Sequence, residues 1–210
     1  MTENYYVFKK SHFHSLIQQF RFSFAKVILE RLIQLHPNEM QYYEFMLIIA
    51  SMEHNSEELI DLHKAIHDKF PGTALEYLAN GLYPGVKINL ARDFLHAAIR
   101  LEPDNAYMYY FLSSTYLNLN EYKQSLKYAN KCLEVDPSFH LALLLRMTCH
   151  KKLGNFNEFL NDSFSALCYI ESLNGLYIVE TIIEELIKHK TSRKNLLVPS
   201  SEIVPENPTS

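Results

Sequence analysis

The chain has 210 residues, 48% of them hydrophobic and 21% charged, which suits one folded domain or a short repeat array and excludes two large domains. Its 20 Lys and Arg against 24 Asp and Glu give a formal charge of -4, without the basic excess of a protein that lives on phosphate contacts. Five glycines leave little material for phosphate-cradling loops.

No run of eighteen apolar residues offers a membrane span. The opening residues, Met1 to Tyr6, lack the basic segment and apolar core of a secretory leader. Cys132, Cys149 and Cys168 form an odd set without CxxC spacing, so a reduced, cytoplasmic setting is expected.

Four prolines set the organisation. Pro37, Pro71, Pro103 and Pro137 are separated by 34, 32 and 34 residues, and each follows an amphipathic stretch. Proline stops a helix there because it lacks an N–H and its ring clashes with the preceding turn. A period near 34 means one supersecondary unit copied along the chain. Positions below are counted so that the proline falls at 32.

Residues 1–39 match only in their second half, where Phe22, Ala25, Leu29, Leu32 and Pro37 are in register while Lys9 and His12 occupy usually apolar positions. Residues 40–71 form a worn copy with Tyr43, Met46, Leu47, Ala50, Leu59 and Ile66 in place. Asn55 with Glu58 is a plausible helix cap there. The alternative for residues 3–70 is a helical region of a different kind. Residues 72–105 keep the register through Leu75, Leu78, Ala79, Leu82, Ala91, Leu95, Ala98 and Pro103, with a turn at Tyr83-Pro84-Gly85-Val86. Residues 106–139 are the best copy. Tyr109, Leu112 and Tyr116 lie at positions 4, 7 and 11 on one helix face, and Ser113 and Ser125 are small at 8 and 20. Residues 140–173 carry Leu153-Gly154-Asn155-Phe156 at the turn, with Asn155 and Glu158 as a second expected capping box. Arg146, Met147 and Phe159 depart from the pattern.

Residues 174–190 contain a last amphipathic helix, Leu176 to His189, whose stripe of Leu176, Val179, Ile182, Ile183, Leu186 and Ile187 is expected to cap the array; a docking helix is the alternative. Residues 191–210 lack helix signal, are rich in Pro, Ser and Asn, and are expected to be flexible. Two apolar islands in that tail, Leu196 to Pro199 and Ile203 to Pro205, could fold back on the repeats.

The aromatic at 4, Leu and a small residue at 7 and 8, Tyr at 11, small residues at 20 and 27 and Pro at 32 resemble the tetratricopeptide repeat (TPR) family. The resemblance implies an all-α, right-handed α–α superhelix, a solenoid of antiparallel helix pairs with a C-terminal capping helix. It also implies a groove lined by positions 2, 5, 9 and 12 of the first helices. Those positions select Thr73, Glu76, Asn80 and Tyr83, then Tyr107, Tyr110, Ser114 and Leu117, then Leu141, Leu144, Thr148 and Lys151. Glu44 and Ile48 would extend the row upstream.

Tyr107 and Tyr110 are not needed by the repeat's own core, so they are candidate anchors for a partner, with Leu141 and Leu144 continuing the surface. The competing expectation is that these side chains pack between neighbouring repeats. Glu44 and Glu76 would repel an acidic peptide, which disfavours the chaperone-tail clamp known in this family.

Chemistry is sparse. His63 and His67 are four apart on one helix face, but Lys64 stands where a zincin needs Glu, so no metal site is expected. No cofactor or nucleophile motif is present, so no cofactor and no catalysis are expected. The basic cluster Lys188, Lys190, Arg193 and Lys194 suits a helix C-terminus. The sequence thus predicts a non-catalytic scaffold or adaptor holding an apolar or weakly basic peptide or helix of another protein. Nucleic acid is an unlikely ligand on charge grounds. The alternatives are a regulatory or chaperone-like subunit of an enzyme or secretion complex, or a self-assembling repeat protein.

Overall fold

The computed structural model describes residues 13, 15–17, 21–168 and 173–196, with the side chains of the last helix described over residues 178–189. The described residues form helices and no strand. In chain order these are α1 (Phe22–Leu35), α2 (Met40–Met52), α3 (Ser56–Lys69), α4 (Ala74–Leu82), α5 (Ile88–Leu101), α6 (Ala106–Asn118), α7 (Tyr122–Val135), α8 (Leu141–Leu153), α9 (Phe156–Leu167) and α10 (Leu173–Leu196). The chain divides into two compact units, residues 1–169 and residues 170–210.

The repeat is carried most faithfully by the second helices. They begin at Phe22, Ser56, Ile88, Tyr122 and Phe156, which are 34, 32, 34 and 34 residues apart. The worn first and second copies therefore keep the same register as the good ones. Phe13 and Ile17 of the first copy are fully buried, and Phe13 stacks on Phe45 of α2 with ring centroids 5.1 Å apart.

The tight turn inside each repeat has a shared cause. His54, Asn120 and Gly154 all occupy position 15, and all three have positive φ, at 55°, 59° and 74°. A left-handed residue reverses the chain after the first helix and lets the last carbonyls be satisfied: Asn55 N–H bonds Ala50 O, Glu121 N–H bonds Tyr116 O, and Asn155 N–H bonds His150 O. In the third repeat the second helix starts 14 residues after the first, against 16 in the second and fourth, and the turn is solved differently. Its first helix has only nine residues, and Pro84-Gly85 follows with Gly85 at φ 84° and a Val86 N–H to Tyr83 O bond, as a type II turn requires.

Small residues hold the paired helices close. Ser113 Oγ donates to Ser125 O and Ser125 Oγ donates to Ser113 O, both at 2.8 Å, so two buried hydroxyls stitch α6 to α7. At Gly81 an added Cβ would lie 3.0 Å from Leu95 Cγ, so α4 approaches α5 closely there.

The fifth repeat's departures are compensated. Met147 and Phe159 are buried, and the Arg146 guanidinium forks onto the buried Asp162 carboxylate through Nε at 3.0 Å and a second, closer bond. Of the two expected caps, Asn55 accepts from Glu58 N–H as expected. Asn155 does not cap: its side-chain amide lies 3.2 Å from His150 Nδ1 on α8 instead.

In the second unit α10 runs for 24 residues. It contains the expected Leu176 to His189 helix and continues through Thr191 to Leu196, where flexible chain is expected. Neither Pro nor Gly occurs between Gly175 and Pro199, and extending an existing helix is far easier than nucleating one. Of the two tail islands, Leu197 to Pro199 and Ile203 to Pro205 lie outside the described residues.

Candidate functional site

The first helices α2, α4, α6 and α8 carry the expected groove positions, and the structure treats them unequally. Tyr107 and Leu141, expected as exposed anchor and flanking surface, are each only 3% exposed. The Tyr107 ring sits edge-on between Phe45 at 6.4 Å and Phe139 at 4.9 Å, so it bridges the second and fourth repeats and belongs to the core. Burial, with Glu44 and Asp136 nearby, pushes its hydroxyl well above the usual tyrosine range. Both residues lie in the first turns of their helices.

Tyr110 is half-buried, packed on Phe139 and Phe111, with its hydroxyl pushed up to about 12 by burial. Upstream the closure is complete. Every residue of α2 from Tyr43 to Ala50 is buried, including Glu44 and Ile48. Asn105 Nδ2 donates to Glu44 Oε1 at 2.5 Å across 61 residues of sequence, while Asn105 Oδ1 accepts from Tyr107 N–H at the start of α6. The carboxylate expected to attract a basic partner is therefore used inside the protein.

The residues of α4 are also engaged. Glu76 accepts from Gly72 N–H at 2.5 Å and pairs with His67 Nδ1 at 2.6 Å; Asn80 Oδ1 meets His63 Nε2 at 2.8 Å. Burial alone would push the Glu76 carboxyl up, but the Gly72 amide and His67 imidazole outweigh it and hold it below the usual carboxylate range. Thr73 caps α4 by accepting from Glu76 N–H. Tyr83 lies on His63 with centroids 4.7 Å apart, and the two flank a cleft of about 560 Å³ that Asn80 and Leu90 also line. His63 and His67, with parallel rings 6.4 Å apart, serve α4 as hydrogen-bond partners. Among the described residues no group of three His, Cys, Asp or Glu could hold a metal ion.

Of the expected positions Tyr83 is the most exposed, at 37%, and a second, partly exposed row lies on α6 and α8. Tyr110, Ser114 and Leu117 on one helix and Leu144, Thr148 and Lys151 on the next are all partly exposed, and the two helices pack side by side. Thr115 and Thr148 hydroxyls bond back to Phe111 O and Leu144 O, which leaves the row mainly apolar with hydroxyls and one cation.

A second opening was not legible from repeat positions. Between α1, α2 and α3 lies a cleft of about 600 Å³ with Ile33, Met46 and Leu62 among its lining and Glu30, Glu57 and Asp61 at its edge. Lys26 meets Glu53 at 2.8 Å and Glu58 at 2.5 Å beside it. The clustering of Glu57, Glu58 and Asp61 on one α3 turn was the available sequence signal.

The three cysteines are free, with Cys132 and Cys149 buried and Cys168 exposed. Burial pushes the Cys132 thiol far up, so it is an inert core group. No described helix is long and apolar enough to cross a membrane.

The family model of the Fis1 C-terminal tetratricopeptide repeat matches residues 107–155, which is α6, α7 and α8. No curated protein matches the chain. Among solved structures, the chain is similar to one in the crystal structure of the APC/C hetero-tetramer Cut9-Hcn1, at 19% identity and TM-score 0.67. That match covers 74% of this chain but only 30% of the other. It is also similar to TTC0263, a thermophilic TPR protein in Thermus thermophilus, at 14% identity, 83% and 95% coverage and TM-score 0.61. A third likeness is to Pseudomonas aeruginosa pilF, at 14% identity, 90% coverage of each chain and TM-score 0.52. Identities this low speak for the fold alone. Together with the 34-residue register of the second helices, they make the fold that of the tetratricopeptide repeat family, an all-α, right-handed α–α superhelix.

Proposed function

We propose that the protein is a non-catalytic interaction scaffold that takes an apolar segment of another protein along α6 and α8. The TPR fold supports a protein-interaction role in general. The observation that carries the finer reading is the row of Tyr110, Ser114, Leu117, Leu144, Thr148 and Lys151, partly exposed on two adjacent first helices. Such a row offers apolar contact and hydroxyls, with a single charge at Lys151, which suits an extended or helical peptide. Basic side chains of the same partner would find carboxylates at the α1–α3 cleft, since Glu44 and Glu76 are occupied internally. An adaptor or chaperone-like role in the cytoplasm is the physiological form of this reading.

The test places a photo-crosslinking side chain at Ser114 or Thr148, with Lys123 on the exposed side of α7 as control. The same bait carrying Leu117→Glu and Leu144→Glu, checked for unchanged helicity, completes it. Crosslinks from Ser114 and Thr148 that vanish in the double variant support the row. A partner captured equally from Lys123, or retained by the double variant, rejects it.

A further inference from the structure

The cleft between α1, α2 and α3 combines two features that the repeat pattern does not call for. Its floor is apolar, with Ile33 and Ala65 half-buried and Met46 and Leu62 buried, and its volume is about 600 Å³. Its edge is acidic, and among the described residues no lysine, arginine or histidine lines it.

Three of the four edge carboxylates are unsatisfied. Glu58 is paired with Lys26, which also holds Glu53. Glu30, Glu57 and Asp61 are exposed and have no hydrogen-bond or ion-pair partner among the described residues. Arg31, beside Glu30 in the chain, donates from Nη1 to Gln34 Oε1 at 3.2 Å instead. The dipole of α3 favours an acid in its first turn, which accounts for Glu57. Asp61 lies beyond that turn and Glu30 in the middle of α1, so helix electrostatics accounts for neither. Glu57 and Asp61 also repel each other across one turn of α3.

We propose that this cleft seats a short amphipathic basic segment of a partner protein. An apolar side chain rests on Ile33, Met46 and Leu62, and flanking Lys or Arg side chains meet Glu30, Glu57 and Asp61. Charge selects the occupant. Three unpaired carboxylates repel an acidic segment, and a purely polar cation would leave the apolar floor in water. Carboxylates on two helices either side of an apolar floor call for several cations on one apolar frame, which a peptide carries. The site is separate from the α6–α8 row, and it rests on the scaffold reading only in taking a protein segment as its ligand.

The probe is a short fluorescent peptide with leucines at helical spacing flanked by lysines, titrated into the full chain with its methionine methyl groups labelled for NMR. Binding is expected with Kd on the order of 10–100 μM at low salt, weakening as salt screens the charges. The Met46 methyl should shift, and those of Met108 and Met147 should not. Glu30→Gln with Glu57→Gln and Asp61→Asn, all exposed positions, should weaken binding about tenfold or more with unchanged helicity. Serine in place of the probe's leucines should weaken it by a similar factor. Leu117→Glu with Leu144→Glu should leave it unchanged.

No binding below about 1 mM overturns the proposal. Equal binding by the triple variant or by the serine probe does so too, as does a shift at Met108 or Met147 without one at Met46. Loss of the probe in Leu117→Glu with Leu144→Glu, at unchanged helicity, would assign the peptide to the row and reject the cleft. A row that captures no partner would leave the cleft standing.

Discussion

The first helices of the second and fourth repeats hold equivalent positions, yet one is interior and the other is partly open. Every residue of α2 from Tyr43 to Ala50 is buried, whereas α6 keeps Tyr110, Ser114, Thr115 and Leu117 at its surface. The helices differ in what their sequences can leave in water. The stretch Tyr43 to Ala50 reads YEFMLIIA, apolar around nearly the whole helix, and a helix of that kind must be covered on all sides. Its one acid is satisfied by Asn105, the residue that caps α6, which ties α2 to the start of α6. Position within a repeat therefore names a candidate groove residue, and the neighbouring repeats decide whether it ever meets a partner.

Truncation sharpens this comparison most. Phe45→Ala, which removes a ring packed between Phe13 and Tyr107, should cost about 3–5 kcal/mol in urea unfolding. Leu144→Ala on the partly exposed row should cost less, about 1–2 kcal/mol, since that side chain packs on the core but is not fully buried. Equal losses at the two sites would erase the distinction between closed and open first helices.

The fifth repeat offers the next largest effect. Asp162→Leu strands a partly buried guanidinium and should destabilise by about 2–4 kcal/mol, while Arg146→Leu with Asp162→Leu should recover most of that loss. Failure of the double variant to recover would mean that the ion pair stabilises beyond what a leucine at position 7 supplies. A smaller gain is expected from His54→Gly, which relieves a left-handed residue and should stabilise by about 1 kcal/mol, measured as an increased urea midpoint. An unchanged or lower midpoint would show that the His54 side chain contributes more than its backbone strain costs.

The smallest effect concerns pH. His96 Nε2 lies 3.0 Å from the Tyr116 hydroxyl, beside a Tyr116–Tyr128 stack, and burial, with Arg92 nearby, lowers its pKa. The unfolded chain then binds the proton first. The contribution is complete above the ordinary histidine pKa and is lost as pH falls through the lowered folded value. Thermal midpoints at pH 7 and pH 5 should differ more in the wild type than in His96→Gln. An identical difference in the variant would assign the pH dependence to other groups.

Much of the fold was legible in the sequence, including where the first repeats looked worn. Pro37 and Pro71 marked helix ends as faithfully as Pro103 and Pro137, because a proline's missing N–H acts locally whatever surrounds it. The candidate site was legible only in part. Tyr107 was legible as an aromatic at a groove position, but its place between Phe45 and Phe139 depends on residues 62 positions upstream and 32 downstream. Arg146 looked like a defect because its partner, Asp162, sits in the next helix at a position the repeat pattern does not constrain. The α1–α3 cleft lies between helices of two repeats, so no single repeat encodes it.

The sequence by itself determined the helices, their 34-residue register, the turns and the small-residue contacts, because propensity, capping and proline chemistry act within a few residues. The tertiary structure alone decided which first helices are sealed, that Glu44 and Glu76 are used internally, and that α10 carries an exposed apolar stripe. Burial depends on what distant segments cover, and no local pattern of residues contains that information.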